Sequence, residues 1–303
     1  MTATPAGTLF LIATPIGNLE DITLRALRVL REVALVAAED TRHTRKLLTH
    51  HGIPARLVSL HEHNERTRAP DIVARLLSGE SIALVSDAGT PGVSDPGVEL
   101  VRQAAAAGIP VVPLPGPSAF VTALAASGLP TAPATFLGFL PQAAAERRRV
   151  LDAYRTLPHT VLIYEAPHRL LKTLAAVREA WGDRPMAVAR ELTKMHEEIL
   201  RGTVEEAIQH FAAHRPQGEL TLVVAGAGAE RAPGLPHAPA VQPDADAAPP
   251  DAQASEVAKT MLRAALKEGV APFEAVRRAA QATGLRRNAV YRLWLSLKQG
   301  AAG

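Results

Sequence analysis

Short, almost wholly apolar runs alternate along the chain with longer stretches in which apolar residues recur every three or four positions. The runs at 8–14 (TLFLIAT), 33–38, 56–60, 82–85 and 109–114 have the length and aliphatic content of strands. Several are apolar on both faces, as in a sheet covered on both sides. Between the first two runs, Ile22, Leu24, Leu27, Val29 and Leu30 make an apolar helical stripe. A second helix is expected from Thr41 to His51 with Gly52 beyond its end, a third ends at Leu77, and a fourth spans 98–107. This alternation predicts βαβ units and a parallel sheet over residues 1–130.

Residues 131–226 continue as a second α/β region. Strands are expected at 135–140, 160–164, 186–189, 197–201 and 219–225, and helices at 144–154, 168–181 and 204–211, with more hairpin character than before. The periodicity then stops. Residues 227–252 contain six prolines and nine alanines and little to bury, which predicts a linker with an extended bias. Helical spacing returns in 253–303: Ser255 caps a helix to Lys267, Pro272 opens another to Ala282, and 286–298 make a third. Ala280, Gly284 and Val290 have the separations of a helix-turn-helix, although a three-helix module used for dimer packing would show the same pattern.

Composition narrows the function. The chain has 303 residues, 47% hydrophobic, enough for two domains with cores. It has no cysteine, which excludes a disulfide framework, a thiolate metal site and a cysteine nucleophile. No apolar run reaches bilayer length, and no basic segment precedes the first short apolar run, so a cytoplasmic protein with no membrane association is expected. Aromatics are only 4%, so any RNA binding should lean on charge and shape. The net charge of +3 is uneven. Residues 255–303 carry nine Lys or Arg against three acids, as a phosphate-binding tail would.

Candidate chemistry lies where strands end. After the 82–85 run comes Asp87, then Ala88 and Gly89, small enough for a ligand to approach the backbone, and the Pro91-Gly92 turn. Asp95-Pro96-Gly97 is expected to cap the following helix. A second small-residue loop, 115–119 (PGPSA), follows the next strand, with Pro117 suited to a first helical position. Either loop alone could be a tight turn; two in tandem predict one crevice at the carboxyl edge of the sheet.

Several segments together resemble the tetrapyrrole methylase superfamily, and within it the bacterial small-subunit ribosomal RNA (cytidine-2′-O)-methyltransferases. They are ATPIGNLEDIT (13–23), AAEDTRHT (37–44), LHEHNE (60–65), VSDAGTPGVSDPG (85–97), VPLPGPSA (112–119), GFLP (138–141), YEAPHRL (164–170) and ARELTK (189–194). The basic LRRNAVYRLWL (285–295) also looks like that subgroup's tail. The resemblance implies two α/β domains with S-adenosyl-L-methionine in the cleft between them, a small C-terminal helical module, and a homodimer. It implies methylation of a decoding-region cytidine of 16S rRNA in the small ribosomal subunit. Carried over by position, it implies cofactor contacts from Pro15, Gly17, Asp87, Ala88, Gly89, Thr90, Ser118, Ala119, Tyr164, Ala166 and Leu192.

For a reaction that removes a ribose proton, Glu39, Asp40, His61, His63 and Glu165 are candidate bases, because each lies in or beside a strand-end loop. Arg42, Arg169 and Lys194 are candidates to hold phosphate or steady a developing alkoxide. Asp40, Arg42 and Glu165 are the favoured catalytic set, although Asp40 would also serve as a helix cap and Glu165 as a partner for Arg169. His61, His63, Asn64, Arg169, Lys194, Arg286 and Arg287 are expected to meet the RNA. His61 and His63 share a strand face, yet no third ligand stands at a telling spacing, so no metal is expected. Two competing readings remain at this level: a small-molecule corrin or sirohaem precursor C-methyltransferase, and a nucleic-acid-binding metabolite sensor without enzymatic activity.

Overall fold

The computed structural model describes residues 5–214, 216–229, 252–267, 270, 272–285, 290, 291, 293, 294 and 297, in two compact units, 1–241 and 242–303. The first unit contains two five-stranded sheets. The strands of the first are β1 (Leu9–Ile12), β2 (Leu35–Ala38), β3 (Leu57–Ser59), β4 (Ile82–Val85) and β5 (Val111–Leu114). They run in the order β3-β2-β4-β1-β5, and every pairing is parallel. β2 and β4 are buried at every position, which explains their lack of polar alternation. Helices α1 (Leu24–Glu32) and α2 (Thr41–His50) cover one face through Ala26, Val29, Leu30, Leu47 and Leu48. Helices α3 (Glu65–Leu77) and α4 (Val98–Ala106) cover the other through Ala69, Ile72, Leu76, Leu100 and Ala104.

Helix α5 (Ala119–Ser127) leads to the second sheet, built of β6 (Ala134–Phe139), β7 (Thr160–Glu165), β8 (Pro185–Arg190), β9 (Glu198–Thr203) and β10 (Leu220–Val224). Its order is β6-β7-β10-β8-β9. Only β6 and β7 pair parallel, across the connecting helix α6 (Ala144–Ala153); β10 enters last, antiparallel to both β7 and β8. Helices α7 (Leu170–Trp181) and α8 (Val204–Ala213) seal one face with Leu174, Val177, Trp181, Val204 and Phe211. The α8 start is fixed by a reciprocal cap between Thr203 and Glu206.

Three expected helix starts are corrected. Asp95 does not cap α4: the position before that helix is Gly97, at φ 131°, and the cap comes from Glu65 instead. Glu65 Oε1 accepts the N–H groups of Gly97, Glu99 and Leu100 at 3.0, 2.8 and 3.1 Å, which satisfies the open N-terminus of α4 from 32 residues away. Pro117 lies outside α5, which begins at Ala119. Ser255 lies within α9 (Ala252–Lys267) and does not precede it. In the second unit α9 and α10 (Pro272–Thr283) enclose a core of Leu262, Ala275, Val276, Ala279 and Ala280, joined by Val290 and Trp294. Gly284, at φ 70°, follows α10. Arg286, Arg287 and most of the expected third helix lie outside the described residues, as do 230–251 of the expected linker.

Candidate active site

The strand-end loops of the first sheet converge with those of the second around one cleft of about 310 Å³. The first sheet contributes Ile16 after β1, Glu39 after β2, residues 87–90 and 93–95 after β4, and Ser118 and Ala119 after β5. The second contributes Phe139 from the end of β6, residues 164–167 from the end of β7, and residues 219–221 from the start of β10. The loops are tied to one another by backbone. Thr14 and Gly89 exchange both N–H to C=O bonds at 2.9 Å, with Gly89 at φ 81°, a conformation that suits glycine. The Thr14 hydroxyl donates to the Ser86 carbonyl at 2.9 Å, and the Thr90 hydroxyl reaches the Pro117 carbonyl at 3.4 Å.

The two halves also meet at Gly17. A Cβ there would run into Lys194 and lie 2.9 Å from the Leu192 carbonyl oxygen. On the far side of that contact Glu191 and Thr193 hold φ 52° and 65°. For a β-branched threonine that backbone costs about 1–3 kcal/mol, and such strain gathers at functional sites.

Besides Glu165, four carboxylates line the cleft, from Glu39, Asp87, Asp95 and Glu219. Glu39 Oε2 accepts the Asp87 N–H at 3.2 Å, and Asp87 Oδ1 accepts the Asp40 N–H at 3.0 Å. Burial raises the Glu39 carboxyl above its ordinary value; the Asp87 N–H opposes this, and the charges of Asp87 and Asp40 add to it. Burial, and next the charge of Glu39, push Asp95 up to about 7. The Ser86 hydroxyl favours its charged form, while Asp87 and Glu219 work against it. Burial likewise raises the Tyr164 phenol, whose oxygen accepts the Phe120 N–H at 3.2 Å.

The expected site residues separate into groups. Asp87, Ala88, Gly89, Thr90, Ser118, Ala119, Tyr164 and Ala166 line the cleft together. Pro15, Gly17 and Leu192 are not among its lining residues, whereas Ile16, between the first two, is. Asp40 caps α2 by accepting the Arg42 N–H at 2.8 Å and pairs with the Arg42 guanidinium at 2.7 Å. That pairing holds its carboxyl far below the ordinary value, which makes it a poor proton acceptor. Arg42 is outside the cleft, its side chain 85% exposed, in an outer groove with Arg45, Lys46, Thr49 and His50.

Glu165 is enclosed. It accepts from the Thr173 hydroxyl, from the Ala166 N–H at 2.8 Å and from Arg169 Nε at 3.2 Å, and its side chain has no exposed surface. Its lone pairs are committed to the scaffold, so the favoured base reading of Glu165 is replaced by a supporting role. Arg169 is similarly committed, donating to the Leu140 carbonyl at 2.6 Å. Lys194 is held by Glu191 at 2.8 Å and Glu219 at 3.1 Å on the rim. Asn64 builds its own loop, accepting the His61 N–H at 2.8 Å, and the His61 and His63 rings stand 6.0 Å apart. Among the described residues no cluster of three or more His, Asp or Glu is placed to hold a metal ion.

Asp95, Phe139 and Glu219 are cleft residues that periodicity and spacing did not single out. Asp95 sits in a motif whose reading as a helix cap hid it. Glu219 is marked only as the start of a strand.

Two sheets of this topology, with small-residue loops closing an acidic cleft between them, define a two-lobed α/β methylase. Residues 8–208 match the family of Tetrapyrrole (Corrin/Porphyrin) Methylases, and the chain belongs to that family. Residues 251–298 match a family described as the RsmI C-terminal HTH domain. A Synechocystis protein named "Ribosomal RNA small subunit methyltransferase I" is 43% identical over 293 residues, 96% of this chain and 99% of that protein. A Pseudomonas aeruginosa protein of the same name is 54% identical over 224 residues, 73% of this chain and 79% of that one. In fold, the chain is similar to a cobalt precorrin-4 methyltransferase structure at TM-score 0.55 and 18% identity, covering 72% of this chain and 94% of that one.

The family's methyl donor is S-adenosylmethionine, and the cleft fits it. Ile16, Ala88, Val93, Ala119 and Leu220 offer apolar walls for an adenosine, and the backbone around Gly89 and Ser118 is open to approach. The carboxylates answer the donor's sulfonium and ammonium charges, which an apolar pocket of the same size would not.

Proposed function

We propose that the protein transfers a methyl group from S-adenosylmethionine to a cytidine ribose 2′-oxygen of 16S rRNA in the small ribosomal subunit. The observation that carries this reading is the placement of an acidic, cation-suited cleft beside α2, a helix whose exposed face is basic. Arg42, Arg45, Lys46 and His50 border one open groove, and among the described residues neither Arg45 nor Lys46 has an acid partner. A polyanion approaching four carboxylates needs such a face to offset repulsion. The relatives' names support small-subunit ribosomal RNA as the substrate class.

The bound donor supplies an electrophilic methyl on sulfur. Residues 87–90 and 118–119 hold it, with Asp87 and Glu39 answering its positive charge. Placement of the ribose oxygen in line is worth about 7–11 kcal/mol in favourable cases, so orientation does most of the chemistry. Asp95 accepts the 2′-hydroxyl proton: it is a half-buried cleft carboxylate poised near neutrality, as a general base should be. Arg45 and Lys46 hold flanking phosphates outside the cleft. Helix α5 is mostly apolar, with Val121 52% exposed, and a second copy of the chain covers that surface in a homodimer. Among the described residues no helix is long and apolar enough to cross a membrane, which suits a protein that meets ribosomal subunits in the cytoplasm.

The test is methyl transfer from labelled donor to small subunits isolated from cells lacking this protein, with the product located by mass spectrometry. Label on a single ribose 2′-oxygen is expected. Donor binding without any labelled RNA would refute the reading.

A further inference from the structure

Phe139 is out of place for a large apolar side chain. It is 54% exposed and lines the cleft, and among the described residues of the first unit it is the one exposed aromatic. Its position is built. In a regular strand Phe136 and Phe139, three residues apart, would face opposite sides of the sheet. The β6–β7 register shifts between them: Phe136 pairs with Leu162 and Phe139 with Tyr164. The extra residue is accommodated at Gly138, whose φ of 64° is one that a side chain would strain.

The bulge turns both rings toward Tyr164, whose centroid is 4.8 Å from that of Phe136 and 5.6 Å from that of Phe139. Phe136 is covered by stacking on Phe120 at 4.5 Å, whereas Phe139 keeps a free face. The next residue is anchored, since the Leu140 carbonyl accepts from Arg169, which the enclosed Glu165 holds in turn. A bulge, a left-handed glycine and a buried ion pair thus maintain one exposed aromatic face at the mouth of the cleft.

We propose that this face is a nucleobase subsite, on which the base of the nucleotide being methylated stacks. The inference rests on the RNA reading above. For a ribose oxygen to reach Asp95, the nucleotide must leave its own stack, and its unstacked base then needs another planar partner. Every base has a π-face, so Phe139 supplies affinity and positioning and leaves base identity to polar contacts. In a chain with only 4% aromatics, the gathering of Phe120, Phe136, Phe139 and Tyr164 at this point is where stacking is available.

The full-length chain carrying Phe139→Ala, Phe139→Leu, Phe139→Tyr or Phe139→Trp tests the proposal, with isolated small subunits as substrate and donor affinity measured by calorimetry. Removing a base-stacking ring is expected to lower kcat/KM about 10- to 100-fold. The Leu variant should fall with the Ala variant, although it keeps apolar bulk, and Tyr and Trp should retain most activity. Donor affinity and oligomeric state should stay unchanged throughout. Wild-type efficiency in the Leu variant would reduce Phe139 to an unspecific apolar contact and overturn the subsite. A parallel loss of donor affinity would assign the ring to the donor's adenine, and dissociation of the oligomer would assign it to subunit contact; either overturns the proposal. A wild-type chain that methylates no RNA refutes the function itself, whereas wild-type transfer with an unaffected Ala variant refutes the subsite alone.

Discussion

Replacing Asp95 by Asn should make the protein less active and more stable, with the gain growing from about pH 4 and complete above about pH 7. Unfolded, Asp95 ionises near 3.8; folded, it keeps its proton to about 7 because burial and the Glu39 charge disfavour the anion. Between those values the native state binds more protons than the unfolded one, so this group's contribution to stability falls as pH rises from about 4 to about 7. Full conversion of that displacement would be about 4 kcal/mol. Asp95 is only half-buried, and solvent screening reduces the figure to ~1–2 kcal/mol.

Urea unfolding of both proteins across pH should therefore give midpoints that nearly coincide at pH 4.5 and separate by pH 8, with the Asn variant higher. The amide preserves shape but cannot accept the ribose proton, so methyl transfer should fall about 10²- to 10⁴-fold. In the wild type, log kcat/KM for RNA should rise with pH and level off at or below about 7, since a cationic donor favours the carboxylate. Parallel stability curves for the two proteins would refute the placement of Asp95 among repelling charges. Full activity in the Asn variant would refute its role as base.

Charge reversal on α2, Arg45→Glu with Lys46→Glu, should raise KM for subunits with little change in donor affinity. It should flatten the dependence of log kcat/KM on log salt by about 0.7 for each phosphate that is no longer neutralised; an unchanged slope removes α2 from the RNA path. Glu65→Ala leaves three N–H groups at the start of α4, those of Gly97, Glu99 and Leu100, without their acceptor and should cost about 2 kcal/mol in urea unfolding. Because Asp95 lies in the loop that α4 closes, the same change should lower kcat, and wild-type stability would show that water replaces the carboxylate. Gly97→Ala combines φ 131° with a Cβ 2.7 Å from Leu84 Cδ2, so a destabilisation of about 2 kcal/mol or more is expected, read as a shifted thermal midpoint.

The parallel half was legible because each buried strand is a self-contained apolar run between amphipathic helices, and the two small-residue loops mark its edge. What escaped depends on partners far along the chain. Glu65 caps a helix that starts 32 residues later, so LHEHNE reads as a charged loop although its last residue builds α4. Asp95 precedes a proline and a glycine in a perfect local cap signal, and only the converging Glu39 and Glu219 reveal its other nature. Glu165, at the end of β7, pairs with Arg169, just before α7, and that plainer reading as partners describes them. The exposure of Phe139 follows from a register shift, which no pattern of apolar residues encodes.

β10 is the last strand among the described residues of the first unit and the central one of its sheet, wedged between β7 and β8. Until it arrives, β7 and β8 have no common neighbour, and the cleft lacks residues 219–221. The first sheet, by contrast, holds all its strands once the chain reaches Leu114. During synthesis, the interval between those two points is roughly 5–20 s at 5–20 residues per second. A nascent or prematurely ended chain can therefore own a complete parallel sheet and still be unable to close around a methyl donor. Donor capture becomes a report that the α/β unit was made to its end, and ligand-dependent protease resistance should appear only in chains that extend past Val224.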